Sequence, residues 1–151
     1  MKIEKATVSD LQEMLSLQKL AYKSEAEIYH DDSIPPMVQT IKQLQDDFKR
    51  QVFLKAVVDG IIIGSVKGFS RDGTCYVGRL MVHPDFQNRG IGKNLMNEIE
   101  SLFPDCKRLE LFTGNKSEKN LALYHKLGYK TFKTEKVNDQ ISLVYLEKII
   151  R

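Results

Sequence analysis

The chain has 151 residues, 42% of them apolar, and a formal net charge of +3 from 23 basic and 20 acidic side chains. That length supports one sizeable core rather than two, and no apolar run reaches the roughly 18 residues that a membrane span requires. Basic residues are interspersed with acidic ones, with no basic block and no stripe interleaved with aromatics, so the pattern argues against nucleic acid as a partner. Lys2, Glu4 and Lys5 carry charge where a signal peptide would be apolar, and the expected location is the cytoplasm. Cys75 and Cys106 are too few for a secreted disulfide framework and match no zinc spacing, so both are expected to be inert.

Residues 3–6 read as a short strand, and Ser9-Asp10-Leu11-Gln12 has the form of a capping box. Leu11, Met14, Leu15, Leu17 and Leu20 then predict a helix through about Tyr22, with residues 21–29 either continuing or bending it. Pro36 is well placed as the first residue of a second helix, whose apolar stripe is Ile41, Leu44 and Phe48. Strands follow at 52–58 and 61–69, joined by Asp59-Gly60, a strong hairpin signal, and a second turn at Arg71-Asp72-Gly73 leads to a strand over 76–82. Ile91, Leu95, Ile99 and Leu102 mark a helix that Pro104 stops. Residues 109–112 read as a strand, 118–127 as a helix closed by Gly128, and 129–137 and 140–149 as the last strands. There is no repeat and no linker, and residues 1–151 are expected to form one mixed α/β unit.

The most informative stretch is Val82-His83-Pro84-Asp85-Phe86-Gln87-Asn88-Arg89-Gly90-Ile91-Gly92-Lys93, which joins an apolar strand to an amphipathic helix through a turn that bears glycine. The first N–H groups of a helix lack intrahelical partners, and residues without a Cβ let an anion approach them. Two nucleotide motifs fail on spacing. A Walker A loop would need glycine where Gln87 stands and Ser or Thr where Asn94 stands, and a Rossmann fingerprint would need a third glycine where Leu95 stands.

The stretch from Gln87 to Gly92 instead resembles the acyl-CoA motif of the GNAT superfamily of N-acetyltransferases, Gln/Arg-x-x-Gly-x-Gly/Ala. Asn120-Leu121-Ala122-Leu123-Tyr124-His125-Lys126-Leu127-Gly128-Tyr129 resembles that family's second signature, a helix that carries Tyr and ends in Gly-Tyr or Gly-Phe. Element order fits over nearly the whole chain. The fold implied is α/β (α+β), the acyl-CoA N-acyltransferase fold, with a mixed, mostly antiparallel sheet of about seven strands flanked by about four helices. One departure stands out. Many members have Asn seven residues before the Tyr and Ala four before it, where this chain has Ser117 and Asn120, which makes Asn120 the candidate for the contact to the pantetheine arm.

The resemblance implies acetyl-CoA as co-substrate, no metal, and a primary amine of a small molecule or peptide as acceptor, acetylated directly in a ternary complex. Backbone groups of Gln87, Asn88, Arg89, Gly90, Ile91, Gly92 and Lys93 would hold the pyrophosphate, with charge-assisted bonds each contributing about 1.5–3 kcal/mol. The end of the preceding strand, Leu80, Met81 and Val82, would line the cofactor, with a backbone N–H near Met81 or Val82 polarising the thioester carbonyl. Tyr124 would also contact the cofactor and would protonate the departing thiolate. Periodicity alone reads Tyr124 as a core aromatic on the stripe Leu121, Tyr124, Leu127.

For the base that deprotonates the amine, the candidates are Glu25, Glu27, His30 and Glu110, and the sequence singles out none. Cys75 and Cys106 lie in no Cys/His arrangement for nucleophilic catalysis. The acceptor is expected between the first two helices and the strand containing Arg79. There the acidic cluster Glu25, Glu27, Asp31 and Asp32 suggests a cationic amine, while Arg79, His83, Arg89 and Lys93 surround the glycine turn. The alternative is a non-catalytic acyl-CoA-binding or regulatory module of the same fold. Oligomeric state is not fixed by the sequence, and a homodimer stays open.

Overall fold

A computed structural model describes residues 1–150. Its centre is a seven-stranded sheet in the order β1-β2-β3-β4-β5-β7-β6. The strands are β1 (Lys2–Lys5), β2 (Val52–Val58), β3 (Ile61–Arg71), β4 (Thr74–Val82), β5 (Arg108–Gly114), β6 (Lys130–Lys136) and β7 (Ser142–Ile149). All neighbours pair antiparallel except β4 and β5, which run parallel. The β2–β3 and β3–β4 hairpins turn on Asp59-Gly60 and Asp72-Gly73, each pair in left-handed backbone with φ of 51°, 77°, 51° and 82°. This is the two-residue turn whose twist matches that of the strands it joins.

Five α-helices flank the sheet: α1 (Leu11–Ile28), α2 (Pro35–Val38), α3 (Ile41–Arg50), α4 (Ile91–Ser101) and α5 (Glu118–Lys126). Alternate residues of each strand face opposite sides, so the protein has two cores. On one face Leu11, Met14 and Leu17 of α1 and Leu44 of α3 pack on Phe53, Ile62 and Met81. On the other, Ile91, Leu95 and Ile99 of α4 and Tyr124 of α5 pack on Leu54, Val66, Val77, Leu109 and Leu146. Cys75 and Cys106 are both free and buried, and burial pushes the Cys75 thiol up to about 12.

Several sequence expectations are corrected. The cap before α1 is Thr7 with Asp10, not Ser9 with Gln12: the Thr7 N–H donates to the Asp10 carboxylate at 2.8 Å, and a single 3-10 turn intervenes before the helix. α1 continues to Ile28 and stops at a left-handed His30 (φ 52°), where the Asp31 N–H reaches back to the Ala26 carbonyl at 3.0 Å. The helix expected from Pro36 is two helices, because Thr40 adopts an extended conformation and caps α3, receiving the Gln43 N–H at 3.2 Å. With α2 as a single four-residue turn, the flanking helices number five, in keeping with the expected sheet of about seven strands and about four helices.

Two features of β4 open the sheet near its middle. Lys67 pairs with Gly78 and Ser65 with Met81, so β4 has one residue more than β3 between these pairs, a bulge at Arg79 and Leu80 with Arg79 left-handed (φ 51°). Pairing of β4 with β5 extends only from Thr74–Arg108 to Tyr76–Glu110, although β4 runs on to Val82 and β5 to Gly114. Past that point the two strands part.

Candidate functional site

β4 leads into the glycine turn through a tight corner. The His83 N–H donates to the Ile63 carbonyl at 2.7 Å, and His83 Nδ1 accepts the Asp85 N–H at 3.1 Å, which fixes the 3-10 turn Pro84–Phe86. Asn88 (φ 62°) and Gly90 (φ 79°) then adopt left-handed backbone. Around Gly90 an added Cβ would meet nothing within 4 Å, so backbone conformation and not crowding demands glycine there. The first bond closing a turn of α4 runs from the Asn94 N–H to the Gly90 carbonyl at 3.0 Å. The N–H groups of Ile91, Gly92 and Lys93 are thus left without partners inside the helix, at its positive dipole end.

These groups border a cleft of about 770 Å³. Leu80, Met81, Val82, Gln87, Asn88, Gly90, Ile91, Gly92 and Lys93 line it from β4 and the turn, and Asn120 lines it from α5. Arg89 is not part of this wall, and its guanidinium lies over the Phe86 ring, 5.1 Å from the centroid. Free helix N–H groups, open space at Gly90 and a long cleft suit a pyrophosphate with an extended arm.

A second cleft, of about 600 Å³, lies on the other side of the β4–β5 opening. Its walls come from α1, α2 and β3 to β5, with Ile141, Leu143 and Tyr145 closing one side, and it occupies the region between the first helices and Arg79. Tyr22, Glu25, Leu80, Ser117 and Asn120 border both clefts, so the two meet at the bulge. Tyr124 reaches only the second. It is buried, and burial, reinforced by the nearby Tyr22 and the Glu25 charge, pushes its phenol well above the usual tyrosine range.

A polar network locks this junction. The Ser117 hydroxyl donates to Glu25 Oε2 at 2.5 Å, the Tyr29 hydroxyl lies 2.8 Å from Ser117 Oγ, and the Lys116 N–H donates to the Tyr29 hydroxyl at 2.9 Å. The Tyr22 hydroxyl donates to the Leu80 carbonyl at 3.2 Å, and burial pushes this phenol up to about 12. Of the four candidate bases, Glu25 stands at the junction and Glu110 lines the second cleft while pairing with Arg108 at 2.8 Å. Glu27 and His30 border neither cleft, nor do Asp31 and Asp32. Tyr22, Tyr29 and the locking role of Ser117 carry no signal in the sequence. No local pattern marks partners that lie 58 to 92 positions apart.

A family model described as an acetyltransferase (GNAT) domain matches residues 20–150. The chain belongs to the GNAT acetyltransferase family. This GNAT domain is 29% identical to UPF0157 protein YqkA of Bacillus subtilis (strain 168) over 133 residues, 88% of this chain and 38% of that protein. It is 34% identical to acetyltransferase YE1169 of Yersinia enterocolitica over 86 residues, 54% of this chain and 59% of that one. The chain thus spans less than two thirds of the length of either curated relative.

Among solved structures, a PaiA N-acetyltransferase from Thermoplasma acidophilum in complex with coenzyme A matches with a TM-score of 0.83 at 21% identity, covering 99% of both chains. The ribosomal-protein-S18-alanine N-acetyltransferase from Escherichia coli matches with a TM-score of 0.81 at 15% identity, covering 99% of this chain and 93% of that one. At these identities the likeness is one of fold, and the seven-stranded mixed sheet of this GNAT domain is that fold.

Proposed function

We propose that this GNAT domain binds acetyl-CoA in the first cleft and transfers the acetyl group directly to a primary amine held in the second. The observation that carries this reading is the meeting of the two clefts at the β4 bulge, which would bring thioester and amine together without a covalent enzyme intermediate. The N–H groups of Ile91, Gly92 and Lys93, with the turn from Gln87, hold the pyrophosphate. Asn120 faces the pantetheine arm. A coenzyme A complex of a protein with the same fold supports the choice of ligand.

Chemistry proceeds at the bulge. The extra residue there lacks a cross-strand partner on β3, pairing with β5 has already ended and Tyr22 takes up the Leu80 carbonyl, so a backbone N–H of the bulge near Leu80 or Met81 would donate to the reacting carbonyl. The amine nitrogen bonds to the acetyl carbon, its surplus proton leaves through Glu25 or water, and the carbon–sulfur bond breaks. Tyr124 gives the departing sulfur its proton. A phenol above its ordinary range is a weaker acid, but burial raises the pKa of a thiol in the same way, so donor and acceptor shift together.

Thiol release from acetyl-CoA across a varied amine panel tests the reading, with release dependent on the amine as the expected result. The same burial of Tyr124 favours the rival, a non-catalytic acyl-CoA-binding module. That rival is upheld if coenzyme A binds and no amine elicits release.

A further inference from the structure

Resting on acetyl transfer as the activity, the second cleft says which amine it takes. Arg79 stands in the bulge, half-buried, and lines that cleft. Its Nε is the one buried side-chain nitrogen or oxygen without a hydrogen-bond partner among the described residues. A buried donor left unsatisfied costs about 1–3 kcal/mol, and more when charged, and the Arg79 guanidinium lines the cleft without an ion-pair partner among the described residues, an arrangement that suits an anionic ligand.

Nearby carboxylates do not answer that need. Asp47 pairs with Lys67 at 3.1 Å, Glu110 with Arg108 at 2.8 Å, and Glu25 accepts from Ser117 at 2.5 Å. Nor would acetyl-CoA answer it, because the groups that suit its phosphates border the first cleft, which Arg79 does not.

The remaining walls of the second cleft are largely apolar and aromatic, with Gln51, Lys67, Glu110, Thr113, Ser117 and Asn120 among them. Phe69 stacks on Tyr76 with centroids 5.2 Å apart, and Phe112 packs on Tyr145 at 5.4 Å while 55% exposed. One exposed and three half-buried aromatics gathered in a concavity suit an apolar body. Of the two carboxylates that line this cleft, Glu110 is paired with Arg108, which leaves Glu25, at the junction, as the one suited to an amine. Arg79 and Glu25 both line this cleft, so it offers one cationic and one anionic group to a ligand that carries both charges.

We propose that the acceptor is a free amino acid with an aromatic or large aliphatic side chain. Its carboxylate pairs with Arg79, its α-amine meets Glu25 beside the thioester, and its side chain lies against Phe69, Tyr76, Phe112 and Tyr145. This narrows the cationic amine that the acidic cluster suggests, because three of the four residues in that cluster lie outside both clefts.

The test compares thiol release with L-phenylalanine, L-leucine, phenethylamine, L-phenylalaninamide and spermidine, and measures calorimetric binding of N-acetyl-L-phenylalanine in the presence of coenzyme A. The expected result is a kcat/KM for the two amino acids at least tenfold above that for the amines lacking a carboxylate. Arg79→Met should raise the KM for L-phenylalanine tenfold or more and weaken N-acetyl-L-phenylalanine binding equally. It should lower phenethylamine kcat/KM far less than that of L-phenylalanine and leave coenzyme A affinity unchanged, because Arg79 does not border the first cleft, and Arg79→Lys should recover part of the loss. Preference for spermidine or phenethylamine, or an equal loss for every amine in Arg79→Met, overturns the proposal. Binding of N-acetyl-L-phenylalanine that depends on Arg79, without thiol release from any amine, upholds the subsite and overturns acetyl transfer. Absence of both release and binding overturns the subsite.

Discussion

Ser117, which precedes α5, donates its hydroxyl proton to Glu25 of α1 at 2.5 Å across 92 positions of sequence. Ser117 is 3% exposed, so this bond and the contact of Tyr29 with the same oxygen tie α1 to the start of the helix that carries Tyr124. Ser117→Ala leaves both a carboxylate and a phenol short of a partner. It should lower the unfolding free energy by about 1–3 kcal/mol. Urea unfolding checks this, and a change within a few tenths of a kcal/mol would show that the network has no energetic weight.

Gly114 makes room for Tyr29. A Cβ at Gly114 would overlap the Tyr29 hydroxyl and the ring carbon that bears it. Gly114→Ala should therefore cost about 1–3 kcal/mol or more, as forced overpacking does, and the penalty should shrink in a Tyr29→Ala background where the clash is gone. Equal penalties in the two backgrounds would contradict the contact.

Alkaline pH should weaken the fold. Burial raises the phenols of Tyr124 and Tyr129 far above their unfolded value, with the Glu100 charge adding to the rise at Tyr129. A group whose folded pKa is raised contributes stability that is complete below its unfolded pKa and declines as pH rises past it. From about pH 10 upward each of these tyrosines should therefore subtract from stability as pH rises. Urea midpoints at pH 8 and pH 11 measure this, and equal midpoints would contradict it. The same direction means that Tyr124 stays protonated through the working range, so kcat should show no loss from phenol ionisation up to about pH 10.

Tyr124→Phe removes the proposed acid and keeps the ring in its core position beside Tyr129, 6.0 Å between centroids. Turnover should fall by about 10²–10⁴ while coenzyme A affinity holds, because Tyr124 does not border the first cleft. Undiminished turnover would leave Tyr124 as a packing residue, the role that its helical stripe alone suggests.

Much of the fold is legible because its signals are local. Asp59-Gly60 and Asp72-Gly73 specify their hairpins through left-handed backbone, and Gly128 (φ 99°) ends α5 with the Tyr129 N–H reaching the Tyr124 carbonyl at 2.9 Å. The residues from Gln87 to Lys93 form one continuous turn, so their spacing shows in the chain itself. The break between α2 and α3 is equally local, since Thr40 and Gln43 form a capping box, but the prolines upstream are the stronger start signal and mask it.

Other features depend on contacts between distant segments. The bulge at Arg79 exists only relative to β3, since one strand's extra residue is defined by its partner's register. In sequence Glu25 is one member of an acidic cluster. Its neighbours Asp31 and Ser33 hydrogen-bond each other in the loop, whereas Glu25, on the inner side of α1, meets Ser117. Nothing in sequence marks Arg79 as holding a buried, unpartnered nitrogen.

Initial rates over a grid of acetyl-CoA and amine concentrations test the central claim most directly, because two substrates in adjoining clefts that meet at one opening must both be bound before the acetyl group moves. Double-reciprocal lines that intersect are the predicted result. Parallel lines, together with an acetylated protein formed from acetyl-CoA alone, would contradict it.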